Sequence, residues 1–219
     1  NRLVARGLQG YLVGGYVRDS LLGLPTKDLD VAVTGDPFSL AWELADLLGG
    51  SVVPLGQAHQ VVRVALTAAS EPLRFIDISG FQGSIHQDLA RRDFTVDAMA
   101  LPREHWCSPD WQQHILDPFG GRKDIQGRFL RAVSDSVFVD DPVRMLRVVR
   151  LSAGLAFQID RHTAQLISAS AFLIVGASVE RVRDELLKLL AEPNADSSVR
   201  LLDELDILSR VIPELEEAR

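Results

Sequence analysis

The chain has 219 residues, 47% of them hydrophobic, with a formal net charge of −7. That is room for one large domain or two small ones with a sizeable core, and it excludes a surface coated in basic residues for nonspecific nucleic-acid binding, although a local patch can still contact phosphates. No apolar run approaches the roughly 18–20 residues a membrane-spanning helix needs, nothing resembles a signal peptide, and the single cysteine, Cys107, excludes an internal disulfide and fits a reducing cytoplasm. The five histidines (His59, His86, His105, His114, His162) lack metal-ligand spacing, which speaks against a zinc site.

In chain order, Tyr11–Val13 is a short apolar run that reads as a buried strand and stops at Gly14-Gly15. Val17 to Leu22 has helical character and is closed by Gly23 and Pro25. Strand, double glycine and helix start together aim free backbone N–H groups at an anion, with the helix dipole assisting. Arg18 lies in that first turn, placed to add a forked charge to a phosphate. Asp28 to Val33 reads as a second strand, with Asp28 and Asp30 on one face and Leu29 and Val31 on the other. Two neighbouring carboxylates repel unless cations sit between them, so the pair facing a phosphate cradle suits two-metal phosphoryl transfer.

Residues 38–49 carry apolar positions at 40, 44, 47 and 48, a helix ended by Gly49-Gly50. Ser51–Pro54 and His59–Leu66 read as strands around a turn at Gly56, Leu73–Ser79 as another strand holding Asp77, and Ile85–Ala100 as a helix. The stretch 107–122 is irregular. Strands and helices alternate to about residue 133, and every later periodic segment is helical: 140–156, 162–173, 178–191 and 196–210. This predicts two domains, 1–135 and 136–219. Val179, Val182, Leu186 and Leu189, and then Leu201, Leu205 and Leu208, have the spacing of core stripes. The chain starts without methionine and stops at Arg219 soon after Pro213, which reads as a piece of a longer protein.

Three motifs, in this order, carry a resemblance. Gly14-Gly15-Tyr16-Val17-Arg18-Asp19 with Leu21-Leu22-Gly23 and Asp28-Leu29-Asp30 is the first; Arg91-Arg92-Asp93-Phe94-Thr95 with Ala98-Met99-Ala100 the second; Asp140-Asp141-Pro142-Val143-Arg144 the third. Asp117-Pro118-Phe119-Gly120-Gly121 and the arginine-bearing stretch 144–157 follow the same pattern. Together they resemble the class II CCA-adding tRNA nucleotidyltransferases and bacterial poly(A) polymerases of the polymerase-β superfamily.

The resemblance implies an α/β (α+β) fold: a nucleotidyltransferase head with a mixed sheet flanked by helices, then an all-helical neck that binds nucleotide and RNA. It implies template-independent addition of CMP or AMP, or both, to an RNA 3′ end, with CTP and ATP as substrates and tRNA as the favoured acceptor. Asp28 and Asp30 would hold two Mg²⁺ ions, and Gly14, Gly15 and Arg18 the triphosphate. Asp93 would accept a hydrogen bond from the ribose 2′-OH, with Arg92 towards the nucleotide.

Asp141 and Arg144, three apart on a helix, would read the base. One accepts from the exocyclic amine and the other donates to the ring nitrogen, a pattern that fits cytosine and adenine and mismatches uracil and guanine. Arg147 and Arg150 continue that stripe, and Arg147 would join the nucleotide site. Pro142 suits a first helical turn and Asp141 its N-cap. Asp77 is an auxiliary acid or a surface aspartate. Asp97 stands where the family usually has asparagine and cannot donate a hydrogen bond when ionised.

Poly(A) polymerases tend to have paired basic residues and Phe after a glycine near residue 56. Gly56-Gln57-Ala58-His59 lacks them, which leans towards tRNA. Poly(A) addition, and a catalytically silent RNA-binding relative, are the alternatives.

Overall fold

The computed structural model describes Leu3 and residues 7–56, 60–67 and 73–218. Its backbone separates into two compact units, Asn1–Arg91 with Val96–Gly121, and Arg92–Thr95 with Arg122–Arg219. The expected boundary between 135 and 136 therefore falls inside the second unit. Backbone hydrogen bonds explain the difference: Thr95 N–H donates to Arg131 O and Val133 N–H to Asp93 O, binding 92–95 to the chain beyond 122.

The first unit is built on a six-stranded mixed sheet, β1 (Gly10–Val13), β2 (Asp28–Thr34), β3 (Gly50–Gly56), β4 (Val61–Leu66), β5 (Phe75–Phe81) and β6 (Ala100–Pro102), in the order β3-β4-β5-β2-β1-β6. Only β2 and β5 pair in parallel. Residues 57–59 and 68–72, at the expected strand ends, lie outside the described residues. β3 is an edge strand whose register shifts between Pro54 and Gly56.

Helix α1 (Gly14–Leu22) starts directly on β1. The double glycine is thus its first turn, not a loop before it, and the helix begins earlier than the apolar pattern from Val17 implies. Gly14 has φ +65°, a conformation that a β-carbon disfavours, and Gly23 closes the helix in the left-handed region. Helix α2 (Pro37–Leu48) is fixed at its start by Asp36, whose carboxylate accepts from the N–H groups of Phe38 and Ser39, and by Pro37 in its first turn. It buries Leu40, Ala41 and Ala45. Its proline touches the sheet face of Gly80, the face that also carries the buried Ile76 and Ile78. The other face of the sheet carries Asp28, Asp30 and Asp77.

The helix expected over 85–100 is a single turn, α3 (Ile85–Leu89), capped by a reciprocal Ser84–Gln87 pair. A 3₁₀ turn at Thr95–Asp97 and strand β6 follow. All side chains from Asp93 to Ala100 are buried, which one helical face cannot achieve, and Phe94 bridges to Ala132 in strand fashion. Tertiary partners have overridden local propensity.

The second unit is mostly helical: α4 (Gly121–Gly127), α5 (Val137–Asp140), α6 (Arg144–Leu155), α7 (Arg161–Ser170), α8 (Val179–Leu190), α9 (Ala195–Glu204) and α10 (Leu208–Val211). It is not all helix, because β7 (Phe129–Leu130) and β8 (Gln158–Ile159) form a short parallel pair. The expected helix over 140–156 is interrupted at 141–143, where Asp141 is extended with φ −153° and ψ 98°. Asp141 Oδ1 accepts from Val143 N–H at 3.3 Å, but the helix begins at Arg144 with Val143 as its N-cap and no side-chain cap bond, so Asp141 and Pro142 lie in the turn ahead of the helix and not at its N-cap and first turn. The leucine and valine stripes hold in part: Leu189 and Leu205 are buried and Val182, Leu186, Leu201 and Leu208 half-buried, whereas Val179 is 77% exposed and Leu202 and Ile207 take core positions that the stripes did not include.

Candidate active site

Strand β2 projects Asp28 and Asp30 from the face opposite Leu29 and Val31, as alternation requires. Asp28 is exposed and Asp30 half-buried. The parallel register sets Asp77 directly beside Asp30 and Phe75 beside Asp28. Arg63, the cross-strand partner of Asp77, closes on it with Nε–Oδ1 and Nη2–Oδ2 distances of 2.7 Å and lies 4.5 Å from the centre of the Phe75 ring. Its bond to Asp77 first, and then, against the cost of burial, the charges of Asp77, Asp28 and Asp30, hold the guanidinium more firmly protonated than usual. Asp77 is therefore an ion-paired neighbour of Asp28 and Asp30.

A pair of hard carboxylate oxygens on one strand face suits Mg²⁺, which binds through one or two carboxylates and completes its shell with phosphate and water. The donor set present is of that kind. Among the described residues no cluster of three or more His, Cys, Asp or Glu side chains could enclose a metal on its own, so a cation here would need a substrate's oxygens as well.

The arginine of the cradle is paired within the protein. Arg18 is buried, with Nη1 2.5 Å from Asp97 Oδ1 and Nε 2.8 Å from Asp19 Oδ1. Its guanidinium lies under Gly15, where a β-carbon would come within 3.2 Å of it. The guanidinium fork is closed on these two carboxylates and braces the first turn of α1 from beneath. Burial pushes the Asp19 carboxyl above its usual value against the pull of Arg18. Asp97, at the position where an amide was expected, is the acceptor for this arginine.

In the second unit the arginine stripe of α6 is matched, one residue at a time, by acids. Arg144 Nε stands 3.8 Å from Asp141 Oδ2, Arg147 Nε 2.5 Å from Asp93 Oδ2, and Arg150 Nε 2.8 Å from Glu185 Oε2. Asp93 also accepts from Phe94 N–H at 3.0 Å. Burial alone would raise its carboxyl; Arg147, the Phe94 N–H and Arg144 outweigh it and hold the group below the usual aspartate range. Arg92, beside it, is half-buried.

Sequence reasoning missed Arg63, Arg181 and Glu185. Arg63 and Asp77 sit alternately on strands, and only the register joins them. Arg181 Nη2 is 2.6 Å from Asp141 Oδ2 across 40 residues of chain, a pairing with no local signal. Glu185 falls within the apolar stripe of α8, and an acid there is the one hint that a buried cation faces it.

Residues 10–131 match the family described as the poly A polymerase head domain, more than half of the chain. The chain belongs to that family. Residues 156–219 further match the family described as a probable RNA- and SrmB-binding site of polymerase A.

The family member is similar to the CC-adding tRNA nucleotidyltransferase of Geobacter sulfurreducens, with 38% identity over 86% of this chain and 42% of that one. It is as similar to the A-adding tRNA nucleotidyltransferase of Deinococcus radiodurans, with 38% identity over 95% and 46%. Among solved structures it resembles the Thermotoga maritima CCA-adding enzyme complexed with tRNA, at a TM-score of 0.81 and 30% identity, over 96% of this chain and 50% of that one. The chain spans about half the length of the curated relatives it matches. Among the described residues no helix is long and apolar enough to cross a membrane.

Proposed function

We propose that this chain is the head and neck of a template-independent nucleotidyltransferase that adds CMP, AMP or both to the 3′ end of tRNA in the cytoplasm. The observation that carries the reading is the acid pair: Asp28 and Asp30 share the open face of β2, one strand from a helix whose first turn is Gly14-Gly15. Relatives whose names specify CC and A addition match at equal identity, which supports the tRNA reading and leaves the choice of nucleotide to experiment.

Asp28 and Asp30 are assigned to hold two Mg²⁺ ions. Bound there, the ions would make the RNA 3′-hydroxyl a better nucleophile and offset charge developing at the α-phosphate. The amides of Gly14 and Gly15, at the positive end of α1, are assigned to the triphosphate. Arg18 holds that turn through Asp97 and Asp19. Asp93, kept ionised by Arg147, accepts from the ribose 2′-OH, with Arg92 beside it. Asp141 accepts the exocyclic amine of cytosine or adenine and Arg144 donates to the ring nitrogen, so uracil and guanine would leave charged groups mismatched.

The test is incorporation of each labelled nucleotide by the full-length protein, with and without Mg²⁺, into tRNA ending before CCA, tRNA ending in CC, and oligo(A). Metal-dependent labelling of either tRNA with CTP or ATP supports the proposal. Labelling confined to oligo(A) assigns poly(A) polymerase activity instead, and no incorporation on any acceptor assigns a silent RNA-binding role.

A further inference from the structure

Arg181 has no part in the roles assigned above, yet it makes the closest contact to Asp141. Asp141 Oδ1 is taken by the Val143 N–H at 3.3 Å, and Oδ2 by Arg181 Nη2 at 2.6 Å. Arg144, three residues on, could close on the same carboxylate as an ordinary helical pair. It forms only a loose ion pair there, at 3.8 Å, while its Nη1 donates to Val137 O at 3.4 Å.

Two contacts of α8 fix the backbone position of Arg181. It lies in the first turn of α8, where Ser178 Oγ accepts from its backbone N–H at 3.4 Å. One turn later Glu185, buried, binds Arg150 at 2.8 Å and Lys188 at 3.0 Å. Helices α6 and α8 are thus tied by the Arg150–Glu185 ion pair, which fixes the register that delivers Arg181 to Asp141 in the extended link just ahead of α6. The Arg181 side chain is 59% exposed, and an exposed pair stabilises a fold little. What it supplies is geometry.

We propose that Arg181 is a positioning residue for base selection: it occupies Asp141 closely and so keeps Arg144 from collapsing onto it. The inference rests on the reading of Asp141 and Arg144 as the base-selecting pair. Without Arg181, that loose pair tightens, and the acceptor for the exocyclic amine and the donor for the ring nitrogen satisfy one another instead of a base.

The test compares Arg181→Ala, Arg181→Lys, Asp141→Ala and Arg181→Ala/Asp141→Ala in the full-length protein. It reads KM and kcat for CTP, ATP, UTP and GTP on tRNA, nucleotide affinity by calorimetry, and melting temperature. Arg181→Ala is expected to raise KM for the favoured nucleotides roughly tenfold and to narrow their advantage over UTP and GTP by a similar factor, with kcat little changed. Arg181→Lys, which keeps the charge, restores most of this, and Arg181→Ala adds nothing once Asp141 is alanine. If Arg181→Ala leaves KM and preference intact while Asp141→Ala alters them, the inference falls and the base-pair reading stands. If Asp141→Ala itself leaves preference intact, both fall. Equal losses for all four nucleotides with a lowered melting temperature, or additive effects in the double variant, assign Arg181 a purely structural role and overturn the inference.

Discussion

Asp30 and Asp77 stand side by side as register partners on the parallel strands β2 and β5, and a two-pronged bond from Arg63 takes both oxygens of Asp77. Neighbouring strands are about 4.8 Å apart, so three carboxylates crowd one sheet face and one of them is neutralised by the protein itself. Asp28 and Asp30 are the pair proposed above to hold the divalent cations.

That division predicts unequal effects of removing the acids. Asp28→Ala or Asp30→Ala should lower Mg²⁺-dependent incorporation by roughly three orders of magnitude or more, the scale of losing metal-borne charge stabilisation. Asp77→Asn, which keeps an acceptor for Arg63, should stay within about tenfold of the unmodified protein. Incorporation rates with melting curves check this, and an inactive but folded Asp77→Asn would mean that Asp77 is itself a ligand.

A second prediction concerns the sugar. Asp93 is held ionised and oriented by Arg147, so the 2′-OH preference should depend on both. One hydrogen bond to a charged group contributes about 1.5–3 kcal/mol, so Asp93→Asn should lower the ATP/dATP ratio of kcat/KM by roughly tenfold or more. Arg147→Met should shift the same ratio in the same direction. A ratio unmoved by either change would remove Asp93 from the ribose site.

The third prediction is an acid limit on the second unit. Burial alone would raise the Glu185 carboxyl, but Arg150 and Lys188 prevail and hold it below the usual glutamate range. With the folded value below the unfolded one, about 4.3, the stabilisation is complete above about pH 5 and is lost as pH falls through the folded value. Asp93, lowered in the same sense, acts in the same direction. The melting temperature of Glu185→Gln should therefore lie below that of the unmodified protein at neutral pH, with the gap closing on acidification below about pH 4. A gap independent of pH would show that the pair contributes packing alone.

How far the sequence could be read depended on whether a feature was local. The acid pair and the glycine turn sit within seventeen residues, and strand alternation with helix capping was enough to place Asp28, Asp30, Gly14 and Gly15. The helix over 85–100 was misread because its apolar residues are buried all round and its backbone pairs with residues near 131, which no window on the sequence reveals. The arginines tell the same story. Their positions within motifs were legible, but whether Arg18 meets a phosphate or Asp97, and which acid meets Arg147, is decided by chain segments tens of residues away. The Arg181–Asp141 contact spans 40 residues and has no periodic signature at all.

The outer strand of the sheet bears on solubility. β3 ends one side of the sheet, and its Val53 and Leu55 are 43% and 48% exposed. An open strand edge with apolar side chains is a template on which a second chain can lay itself down. Pro54 lies between those two residues, has no N–H to donate, and is followed at once by the register shift at Gly56. A newcomer strand would find its hydrogen-bond ladder broken midway. Replacing Pro54 with valine would restore the missing donor and give a continuous sticky edge, turning a passive border of the sheet into a seed for self-association.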